Sequence, residues 1–151
     1  MTTNIPQPNT LTPIIDWFET LSPERLAEAN RIYTEDAWFK DPFNEVRGIG
    51  AIRQVFAHMY QQVEQPRFAV SAQFLDGRNA MLVWRFSFRN QGAGPQSALT
   101  VIHGSSQLQL AEDGRIAWHR DYWDTGEELY AKLPLLGVLI RWLQRKLRAP
   151  Q

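Results

Sequence analysis

The chain has 151 residues, of which 44% are hydrophobic, and this is enough for one domain with a substantial core. Its 16 basic and 16 acidic residues balance, so no overall positive field favours nucleic acid and no nucleic-acid partner is expected. The chain has no cysteine, which excludes disulfides, thiolate metal ligands and a cysteine nucleophile.

The first ten residues are expected to form a flexible lead-in, because Pro6 and Pro8 oppose regular structure. This part of the chain does not have the basic stretch followed by an apolar stretch that is typical of a secretory signal peptide. A cytoplasmic location is therefore the default expectation.

Three helices are predicted next. Thr12-Pro13 is a typical helix start, with threonine as the cap and proline at the first helical position, and Ser22-Pro23 repeats the signal for a helix that reaches about Tyr33. Residues 34–48 predict a short strand and a loop. Gly48-Ile49-Gly50 then begins a third helix, whose apolar residues recur at helical spacing and which ends before Pro66.

Beyond the third helix the apolar residues alternate along the chain, and this pattern predicts β-strands. The four predicted strands are Arg67–Leu75, Ala80–Asn90, Ala98–Ala111 and Arg115–Trp123. Glycine-containing turns separate them, as expected for antiparallel hairpins. Helices followed by an antiparallel sheet are typical of the α+β class, and residues 11–125 are predicted to form a single domain.

Residues 126–151 are predicted to form a separate C-terminal segment that is helical, amphipathic and basic. Its apolar residues lie opposite Arg141, Arg145 and Arg148, which are spaced i, i+4, i+7. The segment is too short and too charged to cross a bilayer. We expect it to pack on its own domain or on a dimer partner. Two alternatives are a lid over the mouth of a pocket and contact with an anionic membrane surface.

The most informative stretch is residues 118–124, which read Trp-His-Arg-Asp-Tyr-Trp-Asp. If these residues form a strand, His119, Asp121 and Trp123 share one face. Burying charged groups costs several kcal/mol unless they are paired. The face is therefore either a structural ion-pair cluster or the floor of a pocket. In a pocket, Asp121 could fix the tautomer of His119 and make it an acid–base group near neutral pH.

Three stretches, in this order and spacing, carry a family resemblance: Tyr33–Phe43 (YTEDAWFKDPF), Gly48–Phe56, and Gly114-Arg115-Ile116 leading to Tyr122-Trp123. The region from about Leu26 to Trp123 resembles the nuclear transport factor 2-like superfamily, and above all its SnoaL-like and ketosteroid isomerase-like proteins. The resemblance implies a cone-shaped, strongly curved antiparallel β-sheet, closed by N-terminal helices around a pocket. It also implies a homodimer.

The resemblance implies a role for Asp41. In ketosteroid isomerases an Asp-Pro dipeptide at this place supplies the general base, and Asp41-Pro42 matches it. A carboxylate beside Trp38, Phe39 and Phe43 could be partly desolvated, which would tune it for proton transfer. Alternatively, Asp41 caps the loop before proline by accepting hydrogen bonds from backbone N–H groups.

The oxyanion donors of those isomerases are not retained. Trp17 and Ser106 stand where the isomerases carry a tyrosine and a protonated aspartic acid. An indole N–H and a hydroxyl each donate one hydrogen bond but are less acidic donors. Losing an oxyanion donor costs on the order of 2.7–4 kcal/mol in model enzymes, so efficient steroid isomerisation is not expected.

The resulting hypothesis is a small-molecule isomerase- or cyclase-like enzyme that acts on an apolar, carbonyl-bearing ligand. Asp41, His119 and Asp121 are the candidate catalytic residues. The candidate ligand-binding residues are Trp17, Trp38, Phe56, Trp84, Ser106 and Trp123. No cofactor is expected, and no metal, because His103 falls on the other face of its strand. The alternative is a non-catalytic module that binds an apolar ligand or a partner.

Overall fold

A computed structural model describes residues 8–92, 94, 96–132 and 134–149. Most of the predicted lead-in lies outside this part of the chain, while Pro8–Leu11 forms a 3-10 turn. The α-helices are α1 (Thr12–Glu19), α2 (Ala29–Ile32), α3 (Ile49–Gln62), α4 (Thr125–Glu128) and α5 (Pro134–Leu147). The strands are β1 (Tyr33–Lys40), β2 (Glu45–Arg47), β3 (Val63–Asp76), β4 (Asn79–Asn90), β5 (Thr100–Leu110) and β6 (Ile116–Tyr122).

The two predicted N-terminal helices form, with changes at their starts. In α1 the cap position is Leu11 rather than Thr12, and no side chain caps the helix. The region after Ser22-Pro23 begins as a 3-10 helix, Glu24–Glu28, and becomes α-helical only in α2. Ser22 still accepts a hydrogen bond from the backbone N–H of Arg25, as its capping role predicts.

Six strands form one sheet in the order β2-β1-β6-β5-β4-β3. Consecutive strands from β3 to β6 pair antiparallel, as the hairpin turns predict. The turn between β3 and β4 uses Gly77, whose φ of +58° is one that glycine adopts without strain. One pairing of the sheet is parallel, because β1 runs in the same direction as β6.

The sheet is strongly curved and does not close into a barrel. Register shifts interrupt three of its pairings, and one of them lies in β3 between Glu64 and Arg67. That bulge contains Gln65, at φ +52°, and Pro66. An edge strand such as β3 tolerates a proline because only one of its sides needs backbone donors. The irregularities bend the strands, so that the concave face of the sheet closes around α1 and α3.

The core lies between this concave face and the helices. On β4, Leu82, Trp84 and Phe88 are buried, as the alternating pattern predicts. Aromatic rings make many of the contacts in this core. For example, the ring of Trp17 in α1 packs edge-to-face against the ring of Phe56 in α3, with 5.6 Å between the centroids. The side chains that are almost entirely inaccessible to solvent are Trp17, Tyr33, Phe39, Leu11, Ile52, Leu82, Leu108, Ile116 and His119.

The C-terminal segment is helical, as predicted, and α4 and α5 are its two α-helices. Asp124 caps α4 by accepting hydrogen bonds from the N–H groups of Gly126 and Glu127. A 3-10 turn, Tyr130–Lys132, follows and leads to α5. Among the helices within the described residues, none combines the length and apolarity needed to cross a membrane.

Candidate active site

The main cavity lies between the concave face of the sheet and α3, and its volume is about 540 Å³. Most of its lining is apolar or aromatic. The lining side chains include Phe39, Val55, Phe56, Met59, Phe68, Trp84, Phe86, Phe88, Ile102, Trp123 and Leu129. The titratable residues among its lining are Asp41, His58 and Asp121. A volume and lining of this kind are typical of sites for small apolar molecules that carry one or two polar groups.

A chain of hydrogen bonds runs behind the cavity wall, and its two branches meet at Asp121. The Tyr33 hydroxyl lies 2.8 Å from Nδ1 of His119, and Nε2 of His119 lies 2.7 Å from Oδ1 of Asp121. From the other side, the Ser106 hydroxyl donates to the same Oδ1 at 2.5 Å, and the Trp84 indole N–H donates to Ser106 Oγ at 2.8 Å. The chain therefore connects side chains from β1, β4, β5 and β6.

The chemistry of the partners indicates the direction of the hydrogen bonds. Tyr33 is fully buried, and burial first, then the negative charge of Asp121, raises the pKa of its hydroxyl well above the ordinary value. The protonated phenol can donate to Nδ1 of His119. An ionised carboxylate only accepts hydrogen bonds, so a neutral imidazole would donate from Nε2 to Asp121 and accept from Tyr33 at Nδ1.

His119 is held rigidly within an aromatic cage. Its ring stacks on Tyr33 and meets Phe39 and Phe18 edge-on, at centroid distances of 4.8 and 5.7 Å. Only 1% of the residue is exposed. It borders a narrow recess of about 10 Å³, which holds no more than one water molecule, rather than the main cavity. A substrate in the main cavity would thus meet Asp121, which borders both spaces, before it met His119.

Asp41 lines the cavity, but its carboxylate is engaged by the loop. Oδ1 accepts hydrogen bonds from the backbone N–H groups of Phe43 and Asn44, at 2.7 and 2.6 Å. The side-chain amide of Asn44 also donates to both carboxylate oxygens. This geometry matches the structural interpretation of Asp41, in which the carboxylate caps the turn after Pro42.

Two of the residues expected in the pocket lie elsewhere. Trp17 is completely buried in the core and its indole N–H donates to the carbonyl of Arg25, so it does not border the cavity. Trp38 lies on the convex side of the sheet, where its ring stacks on Trp118 at 4.9 Å. The alternation of side chains along a strand explains the position of Trp38. Its neighbours on β1, Ala37 and Phe39, are buried, so Trp38 faces the other side of the sheet.

The other residues expected to line a pocket lie close together. Phe56, Trp84 and Trp123 border the main cavity, and Ser106 borders the narrow recess beside it. His103 points to the face of β5 opposite Ser106, and its Nδ1 lies 3.4 Å from Oε1 of Glu128. Across the described residues, histidine and carboxylate side chains form no group of three or more that could hold a metal ion.

Several residues of the site were not predicted. Tyr33 was identified only as part of the family resemblance, yet it fixes His119. His58, on α3, is exposed but also lines the cavity. Leu129 reaches the cavity from beyond the predicted domain boundary at residue 125. No sequence pattern marks these three positions, since each depends on which elements pack together.

Solved structures of similar shape support the same fold. A protein with a ketosteroid isomerase-like fold from Catenulispora acidiphila, in complex with trimethylamine, superposes with a TM-score of 0.69 at 16% identity, over 85% of this chain and 96% of that one. A candidate SnoaL-like polyketide cyclase from Shewanella putrefaciens gives 0.65 at 17% identity, over 82% and 98%. A candidate isomerase of the SnoaL-like family from Agrobacterium tumefaciens gives 0.62 at 18%, over 82% and 99%.

Among curated proteins, none matches the chain significantly. The model of the SnoaL-like domain, in contrast, matches residues 14–119, which span α1 to the histidine of the buried hydrogen-bond chain. This match covers more than half of the sequence and includes Tyr33, Asp41 and His119. The chain therefore belongs to the SnoaL-like domain family.

Proposed function

We propose that the protein is a proton-transfer enzyme of the isomerase or cyclase type, in which Asp121 removes a proton beside a carbonyl group of an apolar ligand. One observation carries the proposal. The carboxylate of Asp121 stands where the buried hydrogen-bond chain meets the apolar cavity, with 17% of its side chain exposed. A general base needs both access to the ligand and a fixed orientation, and Asp121 has both.

The hydrogen-bond chain supplies the orientation. His119 and Ser106 both contact Oδ1 of Asp121, and Oδ2 has no hydrogen-bond partner among the described residues. Oδ2 is thus the oxygen available to accept a proton from a ligand. Donors directed at Oδ1 hold the carboxylate in one orientation without blocking its second oxygen.

This assignment changes the roles expected for the two other candidates. His119 becomes a positioning residue, because it acts through Asp121 and is shielded from the main cavity. Asp41 becomes a structural residue, because both of its carboxylate oxygens already accept hydrogen bonds in the loop. Of the three candidates, Asp121 alone combines a free oxygen with a place on the cavity wall.

The cavity lining supports an apolar ligand. Apolar and aromatic side chains form most of the wall, and Asp121 and Asp41 are its two carboxylates. A ligand with one carbonyl group could place that group near Asp121 and bury the remainder among Phe86, Phe88 and Ile102. The alternative function, non-catalytic binding of an apolar ligand, uses the same wall but needs no oriented carboxylate.

The proposal is tested by proton exchange, which does not depend on whether isomerisation or cyclisation follows. We would incubate the protein with 2-tetralone in deuterium oxide and follow the loss of the α-proton signals by NMR. General-base catalysis contributes about 10²–10⁴-fold, so Asp121→Asn is expected to reduce the protein-dependent exchange rate at least ~100-fold. Asparagine has the same shape and can still accept from Ser106, so the fold should be retained.

The matched control is Asp41→Asn, which makes the same chemical change to the other carboxylate in the cavity. Its exchange rate is expected to stay within about threefold of the wild-type rate, because exchange does not pass through that carboxylate. A reversed pattern would transfer the role of base to Asp41. If 2-tetralone binds but the wild type does not accelerate exchange, the catalytic proposal fails and the binding function is favoured.

A further inference from the structure

The apolar side of α5 is uncovered. Leu135, Leu139 and Leu143 lie along one line of the helix, at i, i+4 and i+8, and are 90%, 51% and 38% exposed. The substantial contacts of α5 within the described chain are with the 3-10 turn Tyr130–Lys132, not with the sheet. The expected packing on the helix's own domain is therefore not observed.

The charge of this segment is one-sided. Arg141, Arg145, Lys146 and Arg148 lie between residues 134 and 149, which include no acidic residue. The rest of the chain consequently has four more acidic than basic residues, although the whole chain is neutral. The positive charge is concentrated on the same short helix that exposes the apolar side.

The exposed leucines and the arginines of α5 are arranged on different sides of the helix. Arg141 lies on the side of the helix away from Leu135 and Leu139, where it donates a hydrogen bond to the carbonyl of Ala131, and Arg145 lies at the border between the basic and the apolar sides. Lys146 falls near the apolar side, and its ammonium group lies 5.0 Å from the centre of the Trp142 ring. A lysine and a tryptophan in contact are typical of helices at a lipid–water boundary, where the stem is buried and the charge reaches the headgroups.

We propose that α5 docks on an anionic bilayer surface, with its leucine side in the acyl boundary and its arginines against the lipid headgroups. The helix has 14 residues and is about 21 Å long, so it lies in the interface rather than crossing a hydrocarbon layer of ~30 Å.

The experiment is co-sedimentation of the full chain with vesicles. Vesicles of phosphatidylcholine containing about 30% phosphatidylglycerol are compared with vesicles of phosphatidylcholine alone. The protein should sediment with the anionic vesicles and not with the neutral ones. Each basic residue near such a surface contributes about 1 kcal/mol, which is about fivefold in affinity, so the double variant Arg145→Glu/Lys146→Glu should partition at least ~30-fold more weakly.

Two further variants separate charge from apolar contact. Leu135→Asp/Leu139→Asp should also release the protein, and neither residue is needed for the core because both are exposed. Arg67→Glu/Arg85→Glu makes the same change of charge as the α5 variant at exposed positions of the sheet, and should sediment as the wild type does. This pair excludes a general effect of net charge.

Three results would overturn the proposal. The first is absence of sedimentation with anionic vesicles. The second is equal sedimentation of the Arg145→Glu/Lys146→Glu variant, since binding would then not depend on the basic side. The third is a dimer in light scattering that Leu135→Asp/Leu139→Asp dissociates, because a second copy of the chain would then cover the apolar side.

Discussion

Nδ1 of His119 lies 2.8 Å from the hydroxyl of Tyr33, although 86 positions separate the two residues in the chain. The contact exists because β1 lies beside β6 in parallel, where Tyr33 pairs with Ile116, three residues before His119, ahead of a register shift. The hydroxyl of Tyr33 thus reaches the nitrogen of the imidazole that faces away from Asp121. A residue from the start of β1 therefore positions the histidine that contacts Asp121.

Replacing Tyr33 with phenylalanine should destabilise the protein without leaving a large cavity. The variant keeps the ring but leaves Nδ1 of His119 buried and without its donor. An unsatisfied buried polar group costs about 1–3 kcal/mol, and the free energy of unfolding in urea should fall by that amount. The control is Tyr122→Phe, which removes an exposed hydroxyl bonded to Gln107 and should cost less than about 0.5 kcal/mol. Equal losses in the two variants would contradict the importance of the buried contact.

Gly104 is required by the close approach of Trp84. The two residues are direct partners in the pairing of β4 with β5, and a Cβ at position 104 would clash with the Trp84 ring. Gly104→Ala should therefore displace the indole and weaken its hydrogen bond to Ser106. Overpacking costs typically about 1–3 kcal/mol, and differential scanning calorimetry should show a Tm lower by roughly 2–12 °C.

The control for this variant is Gly50→Ala, in the first turn of α3. A Cβ at Gly50 has no atom within 4 Å. Alanine is favoured over glycine in a helix by about 0.8–1 kcal/mol, so Tm should stay the same or rise. If both variants lowered Tm equally, contact with Trp84 would not be the reason.

Local patterns predicted much of the fold. The alternation on β4 located Leu82, Trp84 and Phe88 in the core, and the same rule placed His119 and Asp121 on the inner face of β6. These predictions succeed because the side-chain period of a strand depends only on the chain itself. The curved α+β architecture followed from the order of the elements and from the family resemblance.

What could not be predicted depends on packing between distant elements. The parallel pairing of β1 with β6 has no local signal, so Tyr33 was not identified as the partner of His119. Trp17 was placed in the pocket by analogy, but packing of α1 turns its indole N–H toward Arg25. A strand pattern states which residues share a face. It does not state which other element that face will meet.

Asp124 should be necessary for the order of α4, which holds Glu128 and leads to Leu129 at the cavity. Its carboxylate accepts from two of the unpaired N–H groups at the helix start, those of Gly126 and Glu127. Loss of an N-cap costs about 0.5–2 kcal/mol, so Asp124→Ala should speed hydrogen exchange of these amides by roughly 2- to 30-fold. Glu127→Gln keeps the cap, and the Gly126 amide should then exchange at the wild-type rate. Unchanged protection in Asp124→Ala would show that the cap is dispensable.

The buried hydroxyl of Tyr33 should also make stability depend on alkaline pH. Burial, and after it the charge of Asp121, raises the folded-state pKa of Tyr33 well above the ordinary value, whereas the unfolded chain ionises near pH 10. Below about pH 10 both states are protonated, so the contribution of Tyr33 is fully present. Above this pH the unfolded state loses a proton that the folded state keeps, and stability decreases by up to ~1.4 kcal/mol per pH unit until the folded-state pKa is reached.

The measurement is urea unfolding of the wild type and of Tyr33→Phe between about pH 8 and pH 11. Subtracting one profile from the other removes the titration of the groups that the two proteins share, including Tyr60, whose pKa is also raised by burial. The stability advantage of the wild type should be constant up to about pH 10 and should then shrink with the slope of one proton. Parallel profiles across the whole range would mean that Tyr33 ionises as easily in the folded protein as in the unfolded chain. Its hydroxyl would then not be the buried donor that fixes His119.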